Sequence, residues 1–263
     1  MDYKEINKKS WNQKTKIHLD SDFYDNDNFK KGKNSLNEIE LGLLGDLKGK
    51  SVLHLQCHFG QDTISFDRLG ATSVGVDLSD EAIRTAESLA QELDSSATFV
   101  CCDIYDLPNH LDQKFDIVFT SYGTIGWLPD MDRWASVVAQ FLKPEGQFLI
   151  VEFHPAVWMF DDDFNEVKYN YFNEGPIHEV ESGTYAKEDA EITQEYVMWN
   201  HSISEVVNSL IKKDLIIDGI HEYNYSPYPC FRGTKQVGER QYIIEKMGNK
   251  LPLVYAIQAH MKV

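Results

Sequence analysis

The chain has few of the features that mark membrane, secreted or disulfide-linked proteins. No run of 18 apolar residues occurs among its 263 residues, so the sequence predicts no membrane span. The stretch MDYKEINKKSWNQK lacks the apolar segment of a secretory signal. The four cysteines have no regular spacing, which favours reduced thiols over a disulfide framework. We therefore expect a cytoplasmic protein without membrane contact.

Positive charge is also scarce. The formal net charge is −17, and a polyanion is repelled by such a field unless a local basic stripe overrides it. The first 33 residues hold eight lysines but also six acids, so no such stripe is present there. Residues 160–195 carry eleven acids against two lysines, a pattern typical of a solvated face. The composition favours a small-molecule partner over nucleic acid and leaves the oligomeric state open.

From residue 51 onward, short apolar segments alternate with helical patterns. This alternation predicts an α/β fold with a parallel sheet and right-handed crossovers. Residues 155–200 break the rhythm, and a segment of that length is typical of a functional lid or a linker. The predicted strands are 51–56, 73–77, 97–102, 115–120, 147–153, 215–222 and 252–262, with two more near 168–172 and 191–199. The predicted helices are 2–17, Ser35 to about Gly49, 61–69, 80–92, 131–142 and one of about ten residues capped by Ser202.

Polar residues collect at the ends of the predicted parallel strands, where α/β sheets bind ligands. Asp77 follows Gly60 by 17 residues, near the spacing at which a carboxylate accepts hydrogen bonds from a ribose diol. Asp103 follows the next strand and is suited either to accept from an adenine amine or to form an Asx turn. Tyr122 and His154 end the following two strands. The set indicates a nucleoside site more strongly than any one member does.

Five motifs in order resemble the core of a class I S-adenosylmethionine-dependent methyltransferase. They are VLHLQCHFG, VGVDLS, CCDIYDLP, FDIVFTSYGTIGWLPD and LKPEGQFLIVEFHP. The resemblance implies a Rossmann-like, mostly parallel seven-stranded sheet with helices on both faces, an antiparallel last strand and a lid-like insertion. The implied units are N-terminal helices that cap the cofactor site (1–50), a cofactor-binding core (51–155), an insertion bordering the acceptor site (156–200) and a closing helix and β-hairpin (201–263).

The same resemblance implies an enzyme that transfers a methyl group from S-adenosyl-L-methionine to a small-molecule acceptor. The residues it assigns to the cofactor are Trp11, Gln56, His58, Gly60, Asp77, Leu78, Asp103, Ile104 and Ser121. The residues assigned to catalysis are Tyr122, His154 and His201, and those assigned to the acceptor are Trp158, Trp199 and Tyr228. The sequence does not indicate which acceptor atom is methylated.

The glycine-rich loop of the family is altered in this chain. Gln56 and His58 replace two glycines, and only Gly60 remains. Glycine serves there because it tolerates positive φ and lets the backbone approach the ligand. We expect the turn to keep its path with negative φ, so that Gln56 and His58 add contacts at the methionine end of the cofactor. The alternative is a partly filled pocket with weakened cofactor binding.

A zinc site at this loop is not expected. His54, Cys57 and His58 are zinc-type ligands, but His54 would lie within a strand and strand alternation does not bring it beside His58. Two other functions compete with methyl transfer. One is a non-catalytic protein on the same scaffold that docks a partner through its acidic insertion. The other is a nicotinamide-dependent oxidoreductase, which the missing Gly-x-Gly-x-x-Gly pattern disfavours.

Overall fold

Residues 2–263 are described by a computed structural model. The helices are α1 (Tyr3–Leu19), α2 (Asn26–Lys30), α3 (Glu38–Leu44), α4 (Gln61–Arg68), α5 (Asp80–Glu92), α6 (Met131–Phe141) and α7 (Ile203–Ile211). The strands are β1 (Ser51–Leu55), β2 (Thr72–Asp77), β3 (Thr98–Cys101), β4 (Phe115–Ser121), β5 (Leu142–Phe153), β6 (Ile177–Ser182), β7 (Thr193–Met198), β8 (Leu215–Tyr223), β9 (Thr234–Gly238), β10 (Gln241–Ile244) and β11 (Val254–Met261).

Seven strands form one central sheet in the order β3-β2-β1-β4-β5-β11-β8. The strands from β1 to β5 pair in parallel, whereas β11 is antiparallel to both β5 and β8. This arrangement confirms the predicted Rossmann-like sheet with an antiparallel last strand. The β1 strand lies between β2 and β4 and is parallel to both. The loops after these three strands therefore open at the same edge of the sheet.

Each face of the sheet is covered by helices, which is why the central strands are apolar on both sides. Leu53 and Leu55 of β1 belong to a core that includes Trp134 of α6 and Leu210 of α7. The alternate residue Val52 belongs to a second core, with side chains from α3 and α4. This alternation along β1 agrees with the side-chain period of a strand.

The helix after the polar N-terminal stretch begins later and ends earlier than the sequence predicted. We expected Ser35 to start it and Gly49 to follow it, but α3 starts at Glu38 after an Asn37–Glu40 capping box. Gly45 ends it with φ of +69°, a conformation for which glycine is favoured. The polar stretch before it, for which the sequence predicted no helix, contains the short helix α2.

The insertion, residues 156–200, contains a two-stranded antiparallel sheet of β6 and β7. The predicted strand near 168–172 is wrong, since that segment is irregular and the first strand lies further along at Ile177–Ser182. The β7 strand packs on α1, where the buried Asn7 side chain makes two hydrogen bonds with the Val197 backbone, both 2.8 Å long. The insertion is therefore attached to the N-terminal helix.

The β9–β10 hairpin lies before the last strand, and the sequence analysis did not predict it. Its first strand is mostly polar and exposed and its second has only four residues, so neither shows the apolar alternation that predicts a strand. Within residues 2–263, no helix combines the length and the apolarity that spanning a membrane requires.

Candidate active site

A cavity of about 480 Å³ lies at the carboxyl ends of the parallel strands. Side chains of α1 and of the insertion also line it, including Trp11 and Tyr196. Of the fifteen residues that the sequence assigned to the site, all but His154 line this cavity. They are Trp11, Gln56, His58, Gly60, Asp77, Leu78, Asp103, Ile104, Ser121, Tyr122, Trp158, Trp199, His201 and Tyr228.

The loop after β1 has the backbone conformation that glycine would give it. The φ angle is +56° at Gln56, +51° at His58 and +82° at Gly60. Our expectation of negative φ at Gln56 and His58 is therefore wrong. Left-handed backbone costs a non-glycine residue about 1–2 kcal/mol, so surrounding contacts must hold this path. One of them is the hydrogen bond of 2.8 Å from the His58 backbone N–H to Asp77 Oδ2.

The side chains of this loop carry polar atoms without partners. Gln56 Nε2 donates to the Thr124 carbonyl at 2.8 Å, but Gln56 Oε1 is buried and has no hydrogen-bond partner within residues 2–263. Both ring nitrogens of His58 are likewise buried and unpartnered in that range. Burial lowers the pKa of His58 to about 3, so the ring is neutral and offers one donor and one acceptor.

Asp77 ends β2 and holds the neighbouring loops. Its Oδ1 accepts from the Ser79 backbone N–H and its Oδ2 from that of His58, both at 2.8 Å. Burial raises the pKa of Asp77 to about 6. Each carboxylate oxygen can accept a second hydrogen bond, so the group can hold the loop and still accept from a ligand hydroxyl.

Asp103 has two protein partners. Its Oδ1 accepts from the Tyr105 backbone N–H at 2.7 Å, which is the Asx turn that the sequence allowed. Its Oδ2 forms an ion pair of 2.6 Å with Lys4 Nζ on α1. Asp103 thus fixes the start of α1 beside the end of β3.

Tyr122 forms a buried hydrogen-bonded chain with residues of α3. Its φ is +49°, and its hydroxyl donates to Glu40 Oε2 at 2.8 Å. Glu40 Oε1 accepts from the Asn37 backbone at 2.7 Å, and Asn37 Nδ2 donates to the Tyr228 hydroxyl at 2.9 Å. Burial raises the pKa of Glu40 to about 7. The sequence analysis missed Glu40 because it read α3 only as a helix with an apolar face.

Glu152 is a second carboxylate that the sequence analysis missed. It lies on β5 among apolar residues and is buried. Its side chain accepts from the backbone N–H groups of Gly123, Thr124 and Ile125, and so shapes the loop after β4. A lone acid inside an apolar strand was the only signal of this role in the sequence.

Two of the predicted catalytic residues have structural partners. His154 lies outside the cavity: its Nδ1 accepts from the Ala156 backbone at 3.1 Å, and its Nε2 donates to Glu222 at 2.9 Å. His201 borders the cavity, but its Nε2 donates to the Leu128 carbonyl at 2.8 Å. Tyr122 is therefore the best-placed of the three for a reaction in the cavity.

The predicted acceptor residues each pack against another aromatic ring. The ring pairs are Trp199–Tyr3 at 5.1 Å, Trp158–Phe153 at 5.9 Å and Tyr228–Tyr122 at 5.0 Å between centroids. Edge-to-face pairs at these distances fix the positions of the rings.

The arrangement is that of a nucleoside-binding α/β sheet closed by a helix and an insertion, and comparison with known proteins defines its class. Residues 52–146 match the family model described as a methyltransferase domain. A methyltransferase of Methanosarcina mazei, described as SAM-dependent, has a similar structure with a TM-score of 0.59, at 18% identity, over 87% of this chain and 99% of that one. One from Clostridium acetobutylicum gives a TM-score of 0.58 at 17% identity, over 94% and 95% of the two chains.

Curated relatives match over the same region. An uncharacterized methyltransferase of Synechocystis is 34% identical over 131 residues, which are 49% of this chain and 59% of the relative. A ubiquinone biosynthesis O-methyltransferase of Coxiella burnetii is 33% identical over 101 residues, 38% of this chain and 42% of the relative. The matches thus span about half the length of these relatives. Residues 52–146 thus match a methyltransferase domain, and the chain has the fold of methyltransferases that use the cofactor S-adenosylmethionine, as the resemblance implied.

The residues at the altered loop fit that cofactor. The unpartnered Gln56 Oε1 can accept a hydrogen bond from an amino group, and the remaining lone pairs of Asp77 can accept from a ribose. Because its φ angles are positive, the loop backbone follows the path that a glycine-rich loop would follow. The glycine replacements therefore change side chains around the cofactor site without redirecting the chain.

Proposed function

We propose that this protein transfers the methyl group of S-adenosylmethionine to a small, largely apolar acceptor. The observation that carries the proposal is the aromatic cavity at the strand ends, enclosed by α1 and the insertion. Its size of about 480 Å³ suits a nucleoside and a small acceptor better than a macromolecular chain. The net charge of −17 adds to the argument against a nucleic-acid acceptor.

Five groups of residues are assigned roles in this proposal. Gln56, His58 and Gly60 border the methionine end of the cofactor, and Asp77 accepts from its ribose. Asp103 and Ile104 border the adenine, and Trp11 covers the cofactor from α1. Trp158, Trp199 and Tyr228 border the acceptor. The N-terminal helices and the insertion together keep water out of the cavity, which strengthens the electrostatic interactions inside it.

The cofactor, when bound, supplies an electrophilic methyl group on a sulfonium. The protein must then position the acceptor and take up its proton. Tyr122 can accept a proton from an acceptor hydroxyl while its own hydroxyl proton moves to Glu40 along the 2.8 Å hydrogen bond. A pKa of about 7 allows Glu40 to be ionised before this step and protonated after it. The match to a ubiquinone biosynthesis O-methyltransferase supports a hydroxyl acceptor.

Docking of a partner through the acidic insertion is less well supported. The insertion packs on α1 through the Asn7–Val197 hydrogen bonds, and its Tyr185 and Tyr196 line the cavity. These contacts make it a wall of the cavity.

Calorimetric titration with S-adenosylhomocysteine tests the cofactor site. We expect micromolar binding by the wild type and at least tenfold weaker binding by Asp77→Ala, a loss of about 1.4 kcal/mol or more. The matched control is Asp116→Ala, since Asp116 also accepts from a backbone N–H, that of Ser51, but lies outside the cavity. A wild-type titration without heat of binding would contradict the proposal.

The acceptor class is tested by incubating the protein with S-adenosylmethionine and a panel of small phenols, catechols and amines. We expect release of S-adenosylhomocysteine with aromatic hydroxyl acceptors, and a loss of turnover of at least a hundredfold in Tyr122→Phe. Turnover of amines alone would overturn the assignment of a hydroxyl acceptor.

A further inference from the structure

Lys14 of α1 is buried in the cavity and has no counterion. Its side chain is 3% exposed, and its Nζ lies 4.9 Å from the ring centroid of Trp11 and 5.0 Å from those of Trp127 and Tyr196. Within residues 2–263, Lys14 Nζ makes no hydrogen bond and no ion pair. Glu181 on β6 is the acid whose charge acts on it, but it lies beyond ion-pair distance.

The neighbouring lysines of α1 differ from Lys14 in this respect. Three of them lie at the protein surface, and each has a carboxylate partner. The pairs are Lys4 with Asp103, Lys8 with Asp80 and Lys16 with Glu81. Lys14, the lysine of α1 that is removed from water, thus has no anion, although burial makes an unpaired ammonium group costly.

Two histidines beside Lys14 are also buried and unpartnered. His18 follows one helical turn after Lys14, and its ring centroid lies 5.2 Å from that of His58. Within the described residues, none of the four ring nitrogens has a hydrogen-bond partner. Lys14 and His58 line the cavity, whereas His18 packs behind His58. We call Lys14, His18 and His58 the basic cluster.

The cluster has more donors than acceptors, because each neutral histidine offers one donor and one acceptor whereas the lysine offers donors only. A neutral histidine carries one N–H and an ammonium group carries three. The three rings around Lys14 stabilise its charge through their faces, but they leave its N–H groups without hydrogen-bond acceptors. The group that satisfies these donors is an anion with two oxygens, since a carboxylate accepts several hydrogen bonds and also neutralises the charge.

We propose that Lys14 and His58 form a carboxylate-binding subsite of the cavity, supported from behind by His18. The inference rests on the proposed function, because it places the carboxylate of a ligand in the same cavity. Two sources supply that chemistry: the amino-acid tail of the cofactor, and a carboxylate on the acceptor.

The first arm of the test separates these sources with two nucleosides. S-adenosylhomocysteine carries a carboxylate, and 5′-methylthioadenosine lacks the amino-acid tail. If the cofactor occupies the subsite, Lys14→Met binds S-adenosylhomocysteine at least tenfold more weakly than the wild type in calorimetry and binds 5′-methylthioadenosine equally well. Lys14→Arg retains most of the binding of S-adenosylhomocysteine. The matched control is Lys16→Met, on the same helix but outside the cavity, which behaves as the wild type.

The second arm uses 4-hydroxybenzoate and its neutral analogue 4-hydroxybenzyl alcohol, titrated into the wild type and the same variants. If the acceptor supplies the carboxylate, the wild type prefers the acid, and Lys14→Met loses that preference by at least tenfold. Melting curves by circular dichroism establish that each variant is folded.

The proposal is overturned if Lys14→Met changes neither the discrimination between the nucleosides nor that between the acid and the alcohol. It is also overturned if Lys14→Met weakens the binding of both nucleosides equally, because the lysine would then act only through the fold. A wild type that binds neither nucleoside refutes the proposed function instead, and the acid–alcohol comparison still decides whether the subsite exists.

Discussion

At the scale of single residues, the cavity is built from side chains held in costly states. Gln56, His58 and Tyr122 all have positive φ, and Glu40 and Lys14 are buried ionisable groups. Such states persist only where surrounding contacts over-determine them, and they concentrate at functional sites. Here each of the five borders the cavity or contacts a residue that does.

Glu40 gives a pH prediction at this scale. Its pKa is about 7 in the folded chain against 4.5 in the absence of structure, so the folded state binds the proton more tightly. The resulting stabilisation is fully present below pH 4.5 and is lost as the pH rises through 7. Glu40→Gln removes this titration and can keep the hydrogen bonds, with its amide donating to Tyr122.

We therefore expect the free energy of unfolding of Glu40→Gln, relative to wild type, to rise by about 2 kcal/mol between pH 5 and pH 8. Urea denaturation at both pH values measures it. Glu38→Gln is the control, because Glu38 is on the same helix and exposed. If the free energies of unfolding of wild type and Glu40→Gln differ by the same amount at both pH values, Glu40 is ionised like a surface residue.

At the scale of elements, one asparagine makes two of the buried hydrogen bonds that attach the insertion to α1. Asn7 Nδ2 donates to the Val197 carbonyl and Asn7 Oδ1 accepts from the Val197 N–H. The side-chain amide thus pairs with both backbone groups of Val197, as a residue of a neighbouring strand would. The residues of this contact are buried together with Ile6 and Trp199. Without it, β7 would keep the Ser10–Gln194 hydrogen bond of 2.8 Å and the apolar contact with α1, but would lose the two hydrogen bonds to its backbone.

Asn7→Ala should lower the free energy of unfolding by about 2–3 kcal/mol, since it leaves a buried N–H and a buried carbonyl without partners. The Val197 amide should exchange with deuterium much faster, and more than amides of the central sheet do. Gln13→Ala on the exposed side of α1 is the control. Unchanged protection at Val197 would mean that β6–β7 pairing alone orders the insertion.

The elements also show where sequence patterns are informative. The β1–β5 strands and α5 to α7 were predicted within a few residues, because the strands are short and mostly apolar and each of the three helices begins after a capping residue. The strand expected near 168–172 was wrong, and the β9–β10 hairpin was missed. Neither segment has a buried face with regular period, so their structure depends on contacts with other parts of the chain.

At the scale of the whole molecule, the large negative charge opposes folding. A net charge of −17 on one chain produces self-repulsion that favours the unfolded state, and salt screens this repulsion. We expect the melting temperature at pH 7.5 to rise by about 2 °C, corresponding to about 1 kcal/mol, between 0.02 and 0.3 M sodium chloride.

The same salt series near pH 4.8, the isoelectric point of the sequence, is the control. The net charge is close to zero there, so the rise should disappear. A melting temperature at pH 7.5 that falls with salt would indicate that the ion pairs of α1 outweigh the general repulsion.

The amino-acid sequence by itself determined the class of the fold and the identity of fourteen residues that line the cavity. Apolar strands that end in acids or small residues set the parallel order, and Asp77, Asp103 and Tyr122 then lie at one edge of the sheet. Only the tertiary structure decided the left-handed path at Gln56 and His58, the position of His154 outside the cavity and the burial of Lys14. These three features depend on contacts between segments that are distant in the chain, and local sequence patterns do not indicate such contacts.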